Sequence, residues 1–174
     1  MIIDKAISEA NQFLKKNNIE SSKLDSEILM SKAILKDREH VILNSNSEIN
    51  KNSLVCFKDL INQRSKGKPI AYLVGKKYFW KHEFKVNQNV LIPRPDTEII
   101  IEEVLRFSKN KKKLRILDIG VGSGCIILSI LNEKKDFYGV GIDISKKCLD
   151  LSKSNAQNIG LFNRVKFFKS DVDN

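Results

Sequence analysis

Asp118, the glycines at 120, 122 and 124, and Asp143 are the residues whose types and spacing could do chemistry. Glycines at every second position let the backbone take positive φ and let a ligand come close to the peptide planes. Residues 120–124, with Val121 and Ser123 between the glycines, therefore offer backbone N–H donors to a ligand lying across a strand end. Asp143 closes the run Tyr138-Gly139-Val140-Gly141-Ile142-Asp143, about 20 residues beyond the turn, where nucleotide-binding α/β folds place the acid that grips ribose hydroxyls. A dinucleotide fingerprint G-x-G-x-x-G does not fit. Started at Gly120 it needs glycine or alanine where Cys125 stands, and started at Gly122 it needs one where Ile127 stands.

The other reactive side chains form no constellation. Cys56, Cys125 and Cys148 are widely spaced, without CxxC pairs or histidine partners, which argues against a disulfide framework and a zinc site. They read as small buried thiols, with Cys125 at a helix N-terminus where the dipole would lower its pKa. His82, beside a turn and without a second ligand, reads as a solvated loop histidine. The net charge of +10 favours an acidic partner, but the lysines are spread along the chain rather than clustered with aromatics, so the charge reads as solvated faces and no nucleic-acid partner is expected. No stretch approaches the roughly 20 apolar residues that cross a bilayer, and Met1-Ile2-Ile3-Asp4 has no basic region followed by an apolar core. A cytoplasmic, membrane-free monomer is expected.

The elements that must position these residues follow from periodicity. Ala6, Ile7, Ala10, Phe13 and Leu14 mark a helix over residues 4–16, and Leu24, Ile28, Leu29 and Leu35 mark a second one capped by Ser21 and Ser22. Val41-Ile42-Leu43 is a short apolar patch. A further helix over residues 51–66 turns Leu54, Phe57 and Ile61 inward. From Gly67-Lys68-Pro69 onward the periodicity changes to short blocks, 70–74, 78–80 and 83–86, which predict a strand pair joined around Lys81 and His82. Pro93 and Pro95 hold residues 92 and 94 extended, and Pro95 suits the first turn of a helix running through Phe107. Leu114 to Ile119 reads as a strand buried on both faces, leading into the glycine turn and a helix from Cys125. Ser145 caps the next helix, which ends near Gly160, and residues 165–168 form a third strand. The organisation expected is α/β: a helical domain over residues 1–68, a hairpin and connecting helix over 69–113, and a ligand-binding domain over 114–174.

Asp118-x-Gly120-x-Gly122-x-Gly124 resembles the first motif of class I S-adenosylmethionine-dependent methyltransferases. Together with Arg64-x-x-Gly67-Lys68-Pro69-Ile70-Ala71-Tyr72, Tyr78-Phe79-Trp80 and Leu91-Ile92-Pro93-Arg94-Pro95-Asp96-Thr97-Glu98, it is closely similar to the release factor glutamine methyltransferases. The resemblance implies a helical substrate-recognition domain followed by the first half of a Rossmann-like doubly wound sheet. It further implies methyl transfer from S-adenosyl-L-methionine to the glutamine amide of the Gly-Gly-Gln motif of class I peptide release factors. Carried onto this chain, Asp118 would belong to the cofactor site, residues 120–124 would hold the methionine part of the cofactor, and Asp143 would bind both ribose hydroxyls. Ser170, Asp171 and Val172 would border the adenine, Val172 standing where the family commonly has an aromatic residue.

The family's Asn-Pro-Pro-Tyr motif, which orients the target amide, does not occur in these 174 residues. The expectation is therefore an N-terminal portion of a longer protein, with a cofactor floor and no amide clamp, inactive alone. A sheet ending at its third strand would leave an unpaired edge and uncovered apolar faces. Two other readings are a non-catalytic partner-binding module and a fragment of a nucleic-acid adenine methyltransferase.

Overall fold

The computed structural model describes residues 1–171 and divides the chain into two compact units, Met1–Val74 and Gly75–Asn174. In the first, α1 (Ile3–Lys16), α2 (Ser22–Ile34), α3 (Arg38–Leu43), α4 (Lys51–Ser65) and α5 (Ile70–Val74) enclose a core that includes Leu14, Leu29, Met30, Val41, Phe57, Ile61 and Leu73. Asp37 caps α3 by accepting from the His40 N–H, and Asn50 caps α4 by accepting from the Ser53 N–H. Residues 70–74 are helical rather than extended. Gly67, at φ +85°, turns the chain, and the Pro69 carbonyl accepts from the N–H groups of Tyr72 and Leu73, so the apolar block starts a helix at a proline. The helical unit accordingly runs six residues beyond the expected boundary at 68.

Leu24 and Leu35 do not face the core of this unit; both are exposed, and Leu35 is the left-handed cap residue that ends α2. The inward face of α2 instead carries Ser22, Asp25 and Ser26. Asp25 pairs with Arg64 Nε at 2.7 Å and accepts from Ser21 Oγ at 2.9 Å, while Arg64 also donates to the Lys68 carbonyl at 3.2 Å. Arg64 thus ties α2 to α4 and to the turn before Pro69. Arg64→Ala leaves Asp25 buried without its counter-charge and is expected to cost about 3 kcal/mol of the helical unit's stability, read from its urea unfolding midpoint.

The second unit opens with a hairpin. β1 (Lys76–Phe79) pairs antiparallel with β2 (His82–Lys85), Phe79 opposite His82, around a turn in which Trp80 takes φ +55°. The extended segment that follows enters a short 3-10 turn, Pro95–Thr97, and α6 (Glu98–Phe107). Then β3 (Arg115–Ile119), α7 (Cys125–Glu133), β4 (Tyr138–Asp143), α8 (Lys146–Asn158) and β5 (Val165–Lys169) alternate, and the strands form a parallel sheet in the order β3-β4-β5. Asp118 lies beside Gly141, and Asp143 beside Lys169.

The core of this unit includes Phe79, Phe84, Ile127, Leu128, Leu131, Phe137, Leu149 and Ala156. A Cβ on Gly139 would stand 2.7 Å from Ile127 Cδ1, and one on Gly141 would stand 2.8 Å from both Val121 Cγ2 and Phe167 Cδ1. The middle strand therefore has no room for side chains on this face. The opposite face is open among the described residues. Leu117, Ile119, Tyr138 and Phe168 are exposed, and β3 pairs on one edge only. The expectation that the strand of residues 114–119 is buried on both faces is corrected: alternation sends Arg115, Leu117 and Ile119 outward, and no described element covers them.

Candidate functional site

β3 ends at Ile119, and the chain then passes through Gly120 at φ +76°, Gly122 at +54° and Gly124 at +80° before α7 begins. These three values lie in the left-handed region that side chains disfavour, so the alternating glycines are required by the path itself. A Cβ at Gly120 would meet nothing within 4 Å, and at Gly122 only the Gly120 carbonyl at 3.8 Å, so the outer surface of the turn is open.

Most N–H groups of the turn are already used. Gly120 and Val121 donate to the Ile142 carbonyl at 2.9 and 3.0 Å, Gly122 to Asp143 Oδ2 at 3.0 Å, and Gly124 to the Val121 carbonyl at 2.8 Å. The sequence expectation of a row of free donors is thus corrected: the turn spends them on bonding itself to the end of β4. Asp143 is the hub. Its Oδ2 accepts from Gly122 and its Oδ1 from the Ser145 N–H at 2.8 Å, which fixes the carboxylate between the glycine turn and the start of α8. Ser145 in turn caps α8 by accepting from Cys148 N–H at 3.4 Å.

Asp118 sits beneath the turn. Burial pushes its carboxyl up to about 6, the Ile127 N–H at the start of α7 works against that, and the charge of Asp143 adds to it. Gly124 precedes α7 and has no side chain to cap it, so Asp118 takes over part of that role from the strand. Asp118 Oδ2 is buried and has no hydrogen-bond partner. Because the folded value lies above that of an exposed aspartate, ionising Asp118 opposes folding. Asp118's contribution to stability is full below pH about 4 and is lost as pH rises to about 6, and a cation near Oδ2 would oppose that loss.

The support for the turn comes from α8, and the sequence reading missed it. Ser152 Oγ donates to the Gly122 carbonyl at 2.7 Å, and Asn155 Nδ2 donates to the Ser123 carbonyl at 2.9 Å. Asn155 also accepts from Lys85 N–H at 2.8 Å and donates to the Lys85 carbonyl at 3.0 Å, joining β2 to the turn. Both side chains are buried. Two polar residues three apart on the apolar face of Cys148, Leu149 and Ala156 were the available signal.

Trp80 joins two motifs that lie apart in sequence. Its N–H donates to Glu98 Oε1 and its indole Nε1 to Glu133 Oε1, both at 2.8 Å. Lys81 pairs with Glu133 at 2.7 Å, and the bonds from Lys81 and Trp80 lower the Glu133 pKa. His82 is half-buried at the start of β2, with Asn132 Nδ2 2.8 Å from its Nε2, so it is not a solvated loop residue. Burial pushes the Cys125 thiol up, against the lowering expected from the helix dipole. Cys148 is buried and donates to the Asn89 carbonyl at 3.1 Å, whereas Cys56 is exposed rather than buried. Ser170 N–H donates to the Asp143 carbonyl at 3.2 Å, bringing Ser170 and Asp171 to the carboxyl end of β4. Val172 lies outside the described residues. Among the described residues no His, Cys, Asp and Glu cluster could hold a metal, and no helix is long and apolar enough to cross a membrane.

Residues 5–75 match the family model described as the PrmC N-terminal domain. A release factor glutamine methyltransferase of Clostridium acetobutylicum is 41% identical over 172 residues, covering 99% of this chain and 60% of the relative. Those of Leptospira interrogans and Caulobacter vibrioides are 38% and 33% identical, covering 95% and 96% of this chain and 59% and 58% of the relatives. The chain thus spans about three fifths of the length of the curated relatives it matches. Among solved structures, a SAM-dependent methyltransferase of Geobacter sulfurreducens in complex with S-adenosyl-L-homocysteine is 26% identical with a TM-score of 0.38, over 45% of this chain and 30% of its own.

Proposed function

We infer that this chain, homologous along nearly its whole length to release factor glutamine methyltransferases, supplies the helical unit and the S-adenosyl-L-methionine site of an enzyme acting on class I peptide release factors in the cytoplasm. The reaction is N-methylation of the glutamine side-chain amide in their Gly-Gly-Gln motif. The observation that carries this reading is the left-handed glycine turn between Asp118 and α7, tied to Asp143 across the sheet.

The residues fit the cofactor. The outer surface of the turn is open where a ligand would lie, and Asp118 keeps a buried oxygen without a partner close to where a cationic group would be placed. When bound, S-adenosyl-L-methionine supplies an electrophilic methyl on a sulfonium centre. Asp143, already oriented by two N–H donors, has remaining lone pairs for the two ribose hydroxyls. Ser170 and Asp171 border the adenine. A carboxamide nitrogen is a weak nucleophile, so most of the rate must come from holding and polarising it. The family's Asn-Pro-Pro-Tyr group for that task does not occur in these 174 residues, which supply the cofactor side of the reaction.

Titration calorimetry of the 174-residue chain with S-adenosyl-L-methionine tests the first half of the reading, and one site is the expected result; the absence of binding would sink it. Labelled cofactor incubated with a class I release factor tests the second: label on the glutamine of the Gly-Gly-Gln motif is the result the reading expects, and label on any other residue would overturn it. Binding is also expected to depend on pH. A cationic ligand favours the ionised Asp118, so affinity falls as pH drops through about 6, by about tenfold between pH 7 and pH 5. Asp118→Asn should flatten that profile, and an unchanged slope in the variant would assign the pH dependence elsewhere.

A further inference from the structure

A peptide plane can point only one of its two polar groups at any given side. In a trans peptide the carbonyl of one residue and the N–H of the next lie antiparallel. The Gly122 carbonyl is held toward α8 by Ser152 Oγ at 2.7 Å, so the Ser123 N–H on the same plane faces away from α8. The next plane is held too, with the Ser123 carbonyl accepting from Asn155 Nδ2 at 2.9 Å and the Gly124 N–H committed to the Val121 carbonyl. Gly120, Val121 and Gly122 spend their N–H groups on the end of β4. Among the described residues, Ser123 N–H is the donor of this turn that no protein acceptor takes.

We propose that Ser152 is a positioning residue that aims the Ser123 N–H at the carboxylate of the bound methionine moiety, with Asn155 locking the adjacent plane. The inference rests on the reading of the site as one for S-adenosyl-L-methionine. Three features support the assignment. The Ser123 N–H lies immediately before α7, where the helix dipole favours negative charge. Gly122, at φ +54°, could rotate its plane freely without a partner for its carbonyl, so the Ser152 bond selects one of several accessible orientations. Asp118 and Asp143, as carboxylates, donate nothing to an anionic group, which leaves that task to other groups of the turn, the Ser123 amide among them. Ser152 itself is fully buried and reaches the ligand only through the peptide plane it holds.

The test compares two ligands on the full 174-residue chain. S-Adenosyl-L-homocysteine carries the amino-acid moiety, and 5′-methylthioadenosine lacks it while keeping the nucleoside. Ser152→Ala is expected to weaken S-adenosyl-L-homocysteine by about tenfold, the scale of one hydrogen bond to a charged group, and to leave 5′-methylthioadenosine within about twofold. Ser152→Cys, similar in size with a weaker donor, should fall between and guards against a folding defect in the alanine variant. Lys153→Ala, at an exposed position of the same helix, should change neither ligand. Equal losses for both ligands would reduce Ser152 to a structural role and overturn the proposal, as would no loss for either. Failure of the unsubstituted chain to bind either ligand would instead overturn the cofactor reading, and this inference with it.

Discussion

Asp143→Asn is expected to weaken S-adenosyl-L-methionine binding by about a hundredfold, which is the loss of two charge-assisted hydrogen bonds to ribose hydroxyls. The substitution is nearly isosteric, so packing is preserved. The chemistry is not, because Asp143 accepts from Gly122 N–H on one oxygen and from Ser145 N–H on the other. An amide can accept at only one of those positions, and its NH2 faces a donor at the other. The turn and the start of α8 therefore compete for a single oxygen, and the ribose finds a neutral, partly misdirected group. Calorimetry of the variant beside the unsubstituted chain gives the affinity ratio, and a thermal melt monitors the fold. A loss of less than about threefold would remove Asp143 from the site.

Asn155→Ala should be the most damaging single polar deletion in the second unit, costing about 3 to 4 kcal/mol in an equilibrium urea titration. Its removal leaves three backbone groups without their partner: the N–H and carbonyl of Lys85 and the carbonyl of Ser123. The Ser123 bond is buried and the two Lys85 bonds are partly buried, which is why the cost exceeds that of an ordinary exposed hydrogen bond. Asn155→Asp restores only the acceptor and should recover little. A destabilisation below about 1 kcal/mol would mean that water or a rearranged β2 replaces the lost bonds.

The parts legible in the sequence were those written in local chemistry. The glycines at 120, 122 and 124 announce positive φ because three such residues in five are costly for any side chain, and Ser145 announces a helix start because its side chain can accept from Cys148 N–H. Residues 70–74 were misread because short apolar blocks carry no period of their own; the left-handed Gly67 and the following proline decide for helix. Leu24 and Leu35 mark α2 by their spacing yet stay exposed, because the α2 interface is closed partly by the Asp25–Arg64 pair, a contact between residues 39 apart that hydrophobic periodicity cannot register. Ser152 and Asn155 stayed hidden for the same reason. Their partners are backbone atoms of distant segments, and a serine or asparagine on a helix carries no sign of which carbonyl it will meet.

The close packing at the middle strand has a consequence for how such a sequence can drift. Val121 supplies one wall of the space above Gly141 and Phe167 supplies another, so a methyl group gained at 141 has nowhere to go unless both of those walls recede. Positions 121, 141 and 167 share one fixed volume. Over long divergence they are expected to change together, smaller residues in the turn and on β5 licensing a larger one in the middle strand, while a gain at 141 alone is purged.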